Sequence, residues 1–265
     1  MIDGYSGATR VVFIVGDPIA QVKSPAGVTE LMRSRGADAV CVPMHVKPAD
    51  LADFVRLAGK LPNVDGILVT VPHKFAVLPL CATVAPRAQS IEAVNMLRRG
   101  PGGRWHGDMC DGQAFVAALQ QAGATLAGRR ALLVGAGGAG SAIAHALLDA
   151  GVAELALYDA DDKRRDVLAA KLRRYGTVPI AVGTSDPAGF AVACNATPMG
   201  MKPGDPLPLQ VDRLDLGAAV GDVVTMPAVP PLIDQARALG HVASTGSDMF
   251  AQVRVAIVDF LLEKS

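Results

Sequence analysis

Residues 132–140 read Leu-Leu-Val-Gly-Ala-Gly-Gly-Ala-Gly, an apolar run that breaks into glycines, and the helix-like Ser141-Ala-Ile-Ala-His-Ala-Leu-Leu148 follows. A second apolar run, Leu155-Ala-Leu-Tyr-Asp159, closes on an acid roughly 20 residues past the turn. Strand, glycine turn, helix, strand and acid, in that order, form the arrangement that binds dinucleotides. Gly135 is expected to make the tight turn. Gly137 would let the backbone approach a pyrophosphate, and Gly140 would let the helix sit close on the strand. The segment Gly135, Ala136, Gly137, Gly138, Ala139 and Gly140 opens a helix whose free N–H groups and positive dipole end favour phosphates. Asp159 can accept hydrogen bonds from ribose hydroxyls. The plain alternative is a glycine-rich turn of an ordinary α/β protein. The flanking strands and the terminal acid weigh against it.

Other polar residues fall where ligands of open α/β sheets bind, outside the carboxyl ends of strands. Ser24 follows the first expected strand. Thr70, His73 and Lys74 follow the third, and Asn95 and Asp111 lie on an expected hairpin and the helix start after it. Each has a structural reading too. Ser24 and Asp111 could be helix caps. Lys74 could be solvated, and His73 reads as structural. Asn95, between Val94 and Met96, is unusual in a strand, because a half-buried amide needs partners.

These residues require an alternating framework. Strands are expected at 10–15, 39–44 and 64–70. Helices are expected from about Pro25 to Arg35, with Ser24 as N-cap and Gly36 as stop, and at 48–58, opened by a proline. Residues 93–97 and 104–107 flank Gly100-Pro-Gly-Gly103 as a hairpin, and a helix runs from Asp111 to Ala122. Beyond the glycine turn come strands near Leu155, Pro179, Val192 and 219–222, then helices at 231–238 and 247–262. Alternation implies an α/β fold with mostly parallel sheets. Two domains are expected: residues 1–112 and a Rossmann dinucleotide-binding domain at 113–246, with a C-terminal helix at 247–265.

Composition narrows the class. The chain of 265 residues is 51% hydrophobic and 19% charged, enough to build a core and too apolar for disorder. Its 25 basic and 25 acidic residues cancel, which argues against a nucleic-acid partner. The densest basic group, Lys163-Arg-Arg165, reads as a solvated helix face. Four cysteines show no metal-ligand spacing and are too few to staple the chain, so a reduced cytoplasmic protein without metal is expected. No apolar run reaches membrane-spanning length. The N-terminal Met-Ile-Asp-Gly-Tyr lacks the basic start and apolar centre of a signal peptide.

Seven segments then come in the order found in the shikimate/quinate dehydrogenase family, which the chain resembles over nearly its whole length. They are Gly16-Asp-Pro-Ile-Ala-Gln-Val-Lys-Ser-Pro25, Val69-Thr-Val-Pro-His-Lys74, Ala93-Val-Asn95, Gly107-Asp-Met-Cys-Asp111, the turn at 134–140, Asn195-Ala-Thr-Pro-Met-Gly-Met201, and Gln252. The resemblance implies a two-domain oxidoreductase of aromatic amino acid biosynthesis. Its first domain holds a hydroxylated cyclic carboxylate, and its last helix returns to that domain. Lys74 and Asp111 are then the catalytic pair, with lysine moving the hydroxyl proton as general acid/base and the carboxylate orienting it. Ser24, Thr70, Asn95 and Gln252 line the substrate site. Ala196, Thr197, Met199, Val223, Gly246 and Met249 are cofactor contacts, several of them flanking the nicotinamide. A small-molecule substrate is implied, with the chain a monomer or homodimer.

Departures from the family pattern concentrate around the substrate. Val22 stands where the family usually has the first serine of Ser-x-Ser, and Leu68 where it has asparagine. Met109 and Cys110 replace Asn-Thr, and Thr225 replaces a tyrosine in Asp222-Val-Val-Thr-Met-Pro227. Losing a hydrogen bond to a charged group costs about 1.5–3 kcal/mol. Shikimate itself is therefore expected to be a poor substrate, with quinate or an amino-substituted analogue preferred. An alternative is a family member that senses nucleotide or metabolite with little turnover. A third is a dehydrogenase of another hydroxy acid. Family members using NADP usually carry Asn-Arg-Thr/Ser after the second Rossmann strand. Here Tyr158-Asp-Ala-Asp-Asp162 puts a carboxylate at Asp159, so NAD is expected over NADP.

Overall fold

A computed structural model describes residues 4–263 of the chain. Residues 1–3, part of the start read for a signal peptide, and residues 264–265, the end of the expected last helix, lie outside the described residues. The contacts divide the chain into two units. One comprises Met1–Cys110 and Arg254–Ser265, the other Asp111–Val253. The division falls at 110/111 and 253/254, rather than at 112/113 and 246/247.

The first unit contains β1 (Arg10–Gly16), α1 (Ser24–Ser34), β2 (Ala39–His45), α2 (Leu51–Ala58), β3 (Val64–Val69), β4 (Thr83–Val84), α3 (Pro86–Ile91), β5 (Met96–Arg99) and β6 (Trp105–Asp108). Its sheet runs β2-β1-β3-β5-β6-β4. β1 is parallel to β2 and β3, while β5 is antiparallel to β3 and β6. β3 is buried along almost its whole length, which is why it reads as a continuous apolar run rather than an alternating one. The β5–β6 hairpin closes through Gly100 N–H donating to the Arg104 carbonyl at 2.7 Å.

Two local expectations change. Ser24 is the first residue of α1 rather than its N-cap. The cap is Lys23, already in helical geometry, and no side chain caps this end. β4 and α3 are also present, too short at two and six residues to show periodicity in sequence.

The second unit contains α4 (Asp111–Gln121), β7 (Arg130–Val134), α5 (Gly138–Asp149), β8 (Glu154–Tyr158), α6 (Asp162–Tyr175), β9 (Ile180–Val182), β10 (Val192–Asn195), β11 (Ala219–Asp222), α7 (Pro231–Ala238) and β12 (Val242–Ser244). The last helix, α8 (Gly246–Leu262), starts here and ends in the first unit. All paired strands are parallel, in the order β12-β11-β10-β7-β8-β9. From β7 the chain builds outward to β9, then crosses back to β10 and builds the other way. This is the doubly wound Rossmann order, with its reversal between β7 and β10. α5 is buried continuously from Gly140 to Leu148, including Ser141 and His145, as suits a helix with apolar residues all round. α6 buries only Leu168, Ala169 and Leu172 and leaves its basic face outside.

Candidate active site

The glycine turn sits at the strand-order reversal. Gly135 adopts φ +106°, and a Cβ there would meet the Ala196 carbonyl carbon at 2.8 Å, so only glycine lets β7 end this close to β10. A Cβ on Gly140 would run into the backbone of Gly135, which fixes how tightly α5 follows β7. Gly137 is the N-cap of α5, and nothing lies within 4 Å of where its Cβ would sit. An open backbone cradle at a helix N-terminus fits a pyrophosphate.

Asp159 follows β8 and is buried. One carboxylate oxygen accepts from Ala136 N–H at 2.7 Å and the other from Asp161 N–H at 2.8 Å. Each oxygen keeps a second lone pair, so the acid can hold the turn and still accept a ribose hydroxyl. Two of the three basic residues at the start of α6, Arg164 and Arg165, face carboxylates of their own helix end. Arg164 pairs with Asp161 at 3.8 Å, and Arg165 with Asp162 at 2.5 Å and Asp166 at 2.9 Å.

Across the reversal, β10 ends in Asn195, which leads into Ala196 and Thr197. The Asn195 side-chain oxygen accepts from Thr197 N–H at 2.9 Å and from its hydroxyl at 2.7 Å. Asn195 Nδ2 donates to Asp222 Oδ1 at 3.1 Å. Asp222 ends the next strand, and its Oδ1 also accepts from Val224 N–H at 2.8 Å. Burial pushes the Asp222 carboxyl up to about 7. A Cβ on Gly246 would collide with the carbonyls of Val223 and Val224, so the start of α8 packs directly on the end of β11. Thr245 and Asp248 cap that start reciprocally, with Thr245 N–H donating to Asp248 Oδ2 at 2.9 Å. Met249 is buried one residue further on, and Thr225 is half-buried. Gln252 Nε2 donates to Gln121 Oε1 of α4 at 2.7 Å.

In the first unit, Thr70 and Asn95 adjoin the same end of the sheet. Thr70 N–H donates to the Val15 carbonyl at 3.0 Å, and Val69 N–H to the Asn95 carbonyl at 2.8 Å. Asn95 is buried. Its side-chain oxygen accepts from Cys110 N–H at 3.1 Å, and its Nδ2 reaches Cys110 Sγ at 3.4 Å. The amide therefore has the partners that its strand position demanded. Lys74 is half-buried, its carbonyl accepting from Val94 N–H at 2.8 Å. Ser24 is buried at the start of α1 beside a half-buried Val22, and Asp111, in the second unit, is buried as the first residue of α4. His73 is structural: its Nε2 meets the Val46 carbonyl at 2.7 Å. Leu68 and Met109, which were expected to alter polar recognition, are fully buried core residues.

Sequence reasoning gave no role to Asn195, Asp222 or the Arg87–Asp108 pair. Asp108 is buried, and its carboxylate takes a two-pronged contact from Arg87, Nε at 2.8 Å, while Oδ1 also accepts from Met109 N–H at 2.7 Å. This fixes the strand end from which Cys110 and Asp111 depart. A polar residue closing an otherwise apolar strand, as in Val-Ala-Cys-Asn195 and Ala-Val-Gly-Asp222, was the available signal. Arg87 offered none. The cysteines are free, and burial pushes Cys41 up to about 12 and Cys81 up to about 11, so neither is a thiolate nucleophile. Among the described residues no cluster of His, Cys, Asp or Glu could hold a metal ion, and no helix is long and apolar enough to cross a membrane.

The family profile described as shikimate dehydrogenase substrate binding domain matches residues 14–97. A shikimate dehydrogenase (NADP(+)) of Acidiphilium cryptum strain JF-5 is 37% identical, covering 92% of this chain and 87% of that protein. Shikimate 5-dehydrogenase of Listeria monocytogenes, solved with shikimate and NAD, superposes with a TM-score of 0.90 at 25% identity, covering 100% and 96% of the two chains. The ligand-free 5-ketofructose reductase of Gluconobacter sp. strain CHM43 superposes with a TM-score of 0.89 at 28% identity, covering 99% and 95%.

Proposed function

The chain belongs to the shikimate/quinate dehydrogenase family, and on that premise we propose that it is an oxidoreductase acting on a hydroxyl of a shikimate- or quinate-like cyclic hydroxy acid. One observation carries the reading: a dinucleotide cradle at a strand-order reversal, in a chain that aligns with shikimate dehydrogenases over nine-tenths of its length. In this reading the first sheet, with the last helix, is the substrate-binding part. The second sheet is the cofactor-binding part.

When bound, a nicotinamide supplies or accepts the hydride. The cradle of Gly135 to Gly140 would hold its pyrophosphate and Asp159 its ribose. We assign the cofactor as NAD. Asp159 opposes an added phosphate, and the neighbouring arginines are already paired with carboxylates. The NADP named for the Acidiphilium relative makes this a point to measure. Lys74 and Asp111 carry the proton chemistry. As hydride leaves a secondary alcohol, its hydroxyl proton must leave too, and Lys74 is the group that takes it. In the reverse direction the Lys74 ammonium returns that proton to the carbonyl oxygen. Asp111 keeps the lysine oriented for that transfer.

Val22 favours a second reading. A valine beside Ser24 leaves one fewer hydroxyl for a substrate carboxylate, and the similar Gluconobacter protein is named for a ketose that has no carboxylate. An uncharged polyhydroxy ketone is then the substrate. The deciding experiment follows reduced-cofactor absorbance with NAD and NADP against shikimate, quinate, amino-substituted analogues and uncharged polyhydroxy ketones. Turnover of the cyclic acids supports the first reading, and turnover of uncharged ketones alone supports the second. Dinucleotide binding with no turnover of any of them overturns both and leaves a sensor.

A further inference from the structure

Asp222 poses a problem that the proposed chemistry does not solve. It is 0% exposed, as is Asn195 beside it in register across β10 and β11. Its Oδ1 accepts from Asn195 Nδ2 and Val224 N–H, but its Oδ2 is buried without a hydrogen-bond partner. A buried carboxyl with an unsatisfied oxygen is costly, and an apolar side chain of similar size would suit the end of an apolar strand better.

What the carboxyl achieves is a connection. Through Oδ1 it ties its own strand end, at Val224, to the end of the neighbouring strand, at Asn195. From Asn195 the tie continues to Thr197, and Thr197 Oγ1 then accepts from Met199 N–H at 3.2 Å. Asn195 Nδ2 also reaches the Met199 carbonyl at 3.4 Å. One side chain thereby sets two loops: 196–199, which abuts Gly135, and 223–225, on which Gly246 packs. These loops sit at the reversal between β7 and β10 and beside it, away from the Asp159 end of the turn.

We propose that Asp222 is a positioning residue for the nicotinamide end of the cofactor, acting through Asn195 on the 196–199 loop and through Val224 on the 223–225 loop. The proposal rests on the dinucleotide reading above. It differs from a general stabilising role in one respect: the adenosine and pyrophosphate contacts lie on the glycine turn and Asp159, outside this chain of bonds. Loss of Asp222 must therefore fall on one half of the dinucleotide.

Calorimetric titration of NAD and of ADP-ribose, which lacks the nicotinamide, separates the halves. Asp222→Ala is expected to lose about tenfold in NAD affinity, the worth of roughly one hydrogen bond, with ADP-ribose affinity unchanged. Asp222→Asn keeps an acceptor at Oδ1 and is expected to restore most of the NAD affinity. Should the alanine variant fail to fold, Asn195→Leu cuts the same chain one link later and is expected to show the same selective loss. Equal losses for both ligands, no loss for either, or an Asn variant no better than Ala would overturn the proposal. A wild-type protein that binds neither dinucleotide would overturn the cofactor reading itself.

Discussion

At the carboxyl end of the second sheet, the candidate cofactor contacts are made chiefly by backbone. Gly135, Gly137 and Gly140 act by having no side chain, and the polar side chains nearby, Asp159, Asn195 and Asp222, hold loops in place. At the corresponding end of the first sheet the proposed site rests on side chains: Ser24, Thr70, Lys74 and Asn95, near the Arg87–Asp108 pair. The difference teaches where a chain of this fold can drift. A backbone cradle tolerates no added Cβ at its tight points, so its pattern persists. A side-chain site changes one residue at a time while its strands stay put, and the departures at Val22 and Cys110 lie at such positions.

The largest effect expected from this contrast is at Lys74. Lys74→Ala should lower turnover by about 10²–10⁴-fold while leaving dinucleotide affinity unchanged, since general acid/base catalysis is worth that much. Stopped-flow or steady-state turnover beside a calorimetric Kd checks it. Near-normal turnover in a folded variant would sink the view that the first sheet works through side chains.

Next is the pH dependence of stability in the second sheet. Burial raises the folded-state pKa of Asp222 from 3.8 to about 7. The folded chain therefore holds this proton more tightly than the unfolded chain does. Stability from this group is complete below about pH 4, falls as pH rises towards 7, and stays low above it, by at most about 4 kcal/mol. Asp222→Asn carries no such proton. The stability difference between variant and wild type, from urea unfolding at a series of pH values, should move in the variant's favour across that window. A flat difference curve would mean that Asp222 is charged when folded.

These contrasts also explain what could be read in advance. The glycine turn was legible because its pattern is local: four glycines within six residues, an apolar strand before them and an acid after the next strand. Mostly parallel sheets followed from alternation. Lys74 and Asp111 stood out only through resemblance, because a lone lysine after a turn and an acid at a helix start are common. The Asn195–Asp222 and Arg87–Asp108 contacts join residues 27 and 21 positions apart. They exist only once strand register is set, which no local pattern encodes. That Leu68 and Met109 are fully buried was no more legible, since burial depends on what the sheet packs against.

A smaller effect tests the cradle directly. Gly140→Ala would place a Cβ against the Gly135 carbonyl, a rigid backbone neighbour. Overpacking of this kind costs about 1–3 kcal/mol. The turn should be displaced, lowering dinucleotide affinity as well as thermal stability. Gly137→Ala, whose Cβ meets nothing in the protein, should leave stability unchanged and weaken only dinucleotide binding. If both variants behave alike, the separation of packing from ligand approach within the turn is broken.

The smallest effect bears on substrate choice. Val22 is half-buried beside Ser24. Val22→Ser replaces two methyls with one hydroxyl donor where a substrate carboxylate would lie if the family pattern applies. A hydrogen bond to a charged group is worth about 1.5 kcal/mol at the low end, roughly tenfold in affinity. The KM for quinate or shikimate should therefore fall by about that factor with kcat little changed, because the contact is equal in ground and transition states. The KM for an uncharged ketone should not fall. If the added serine improves neither acid, the substrate's charged end lies elsewhere or is absent. The first sheet would then have drifted past a change of grip to a change of substrate class.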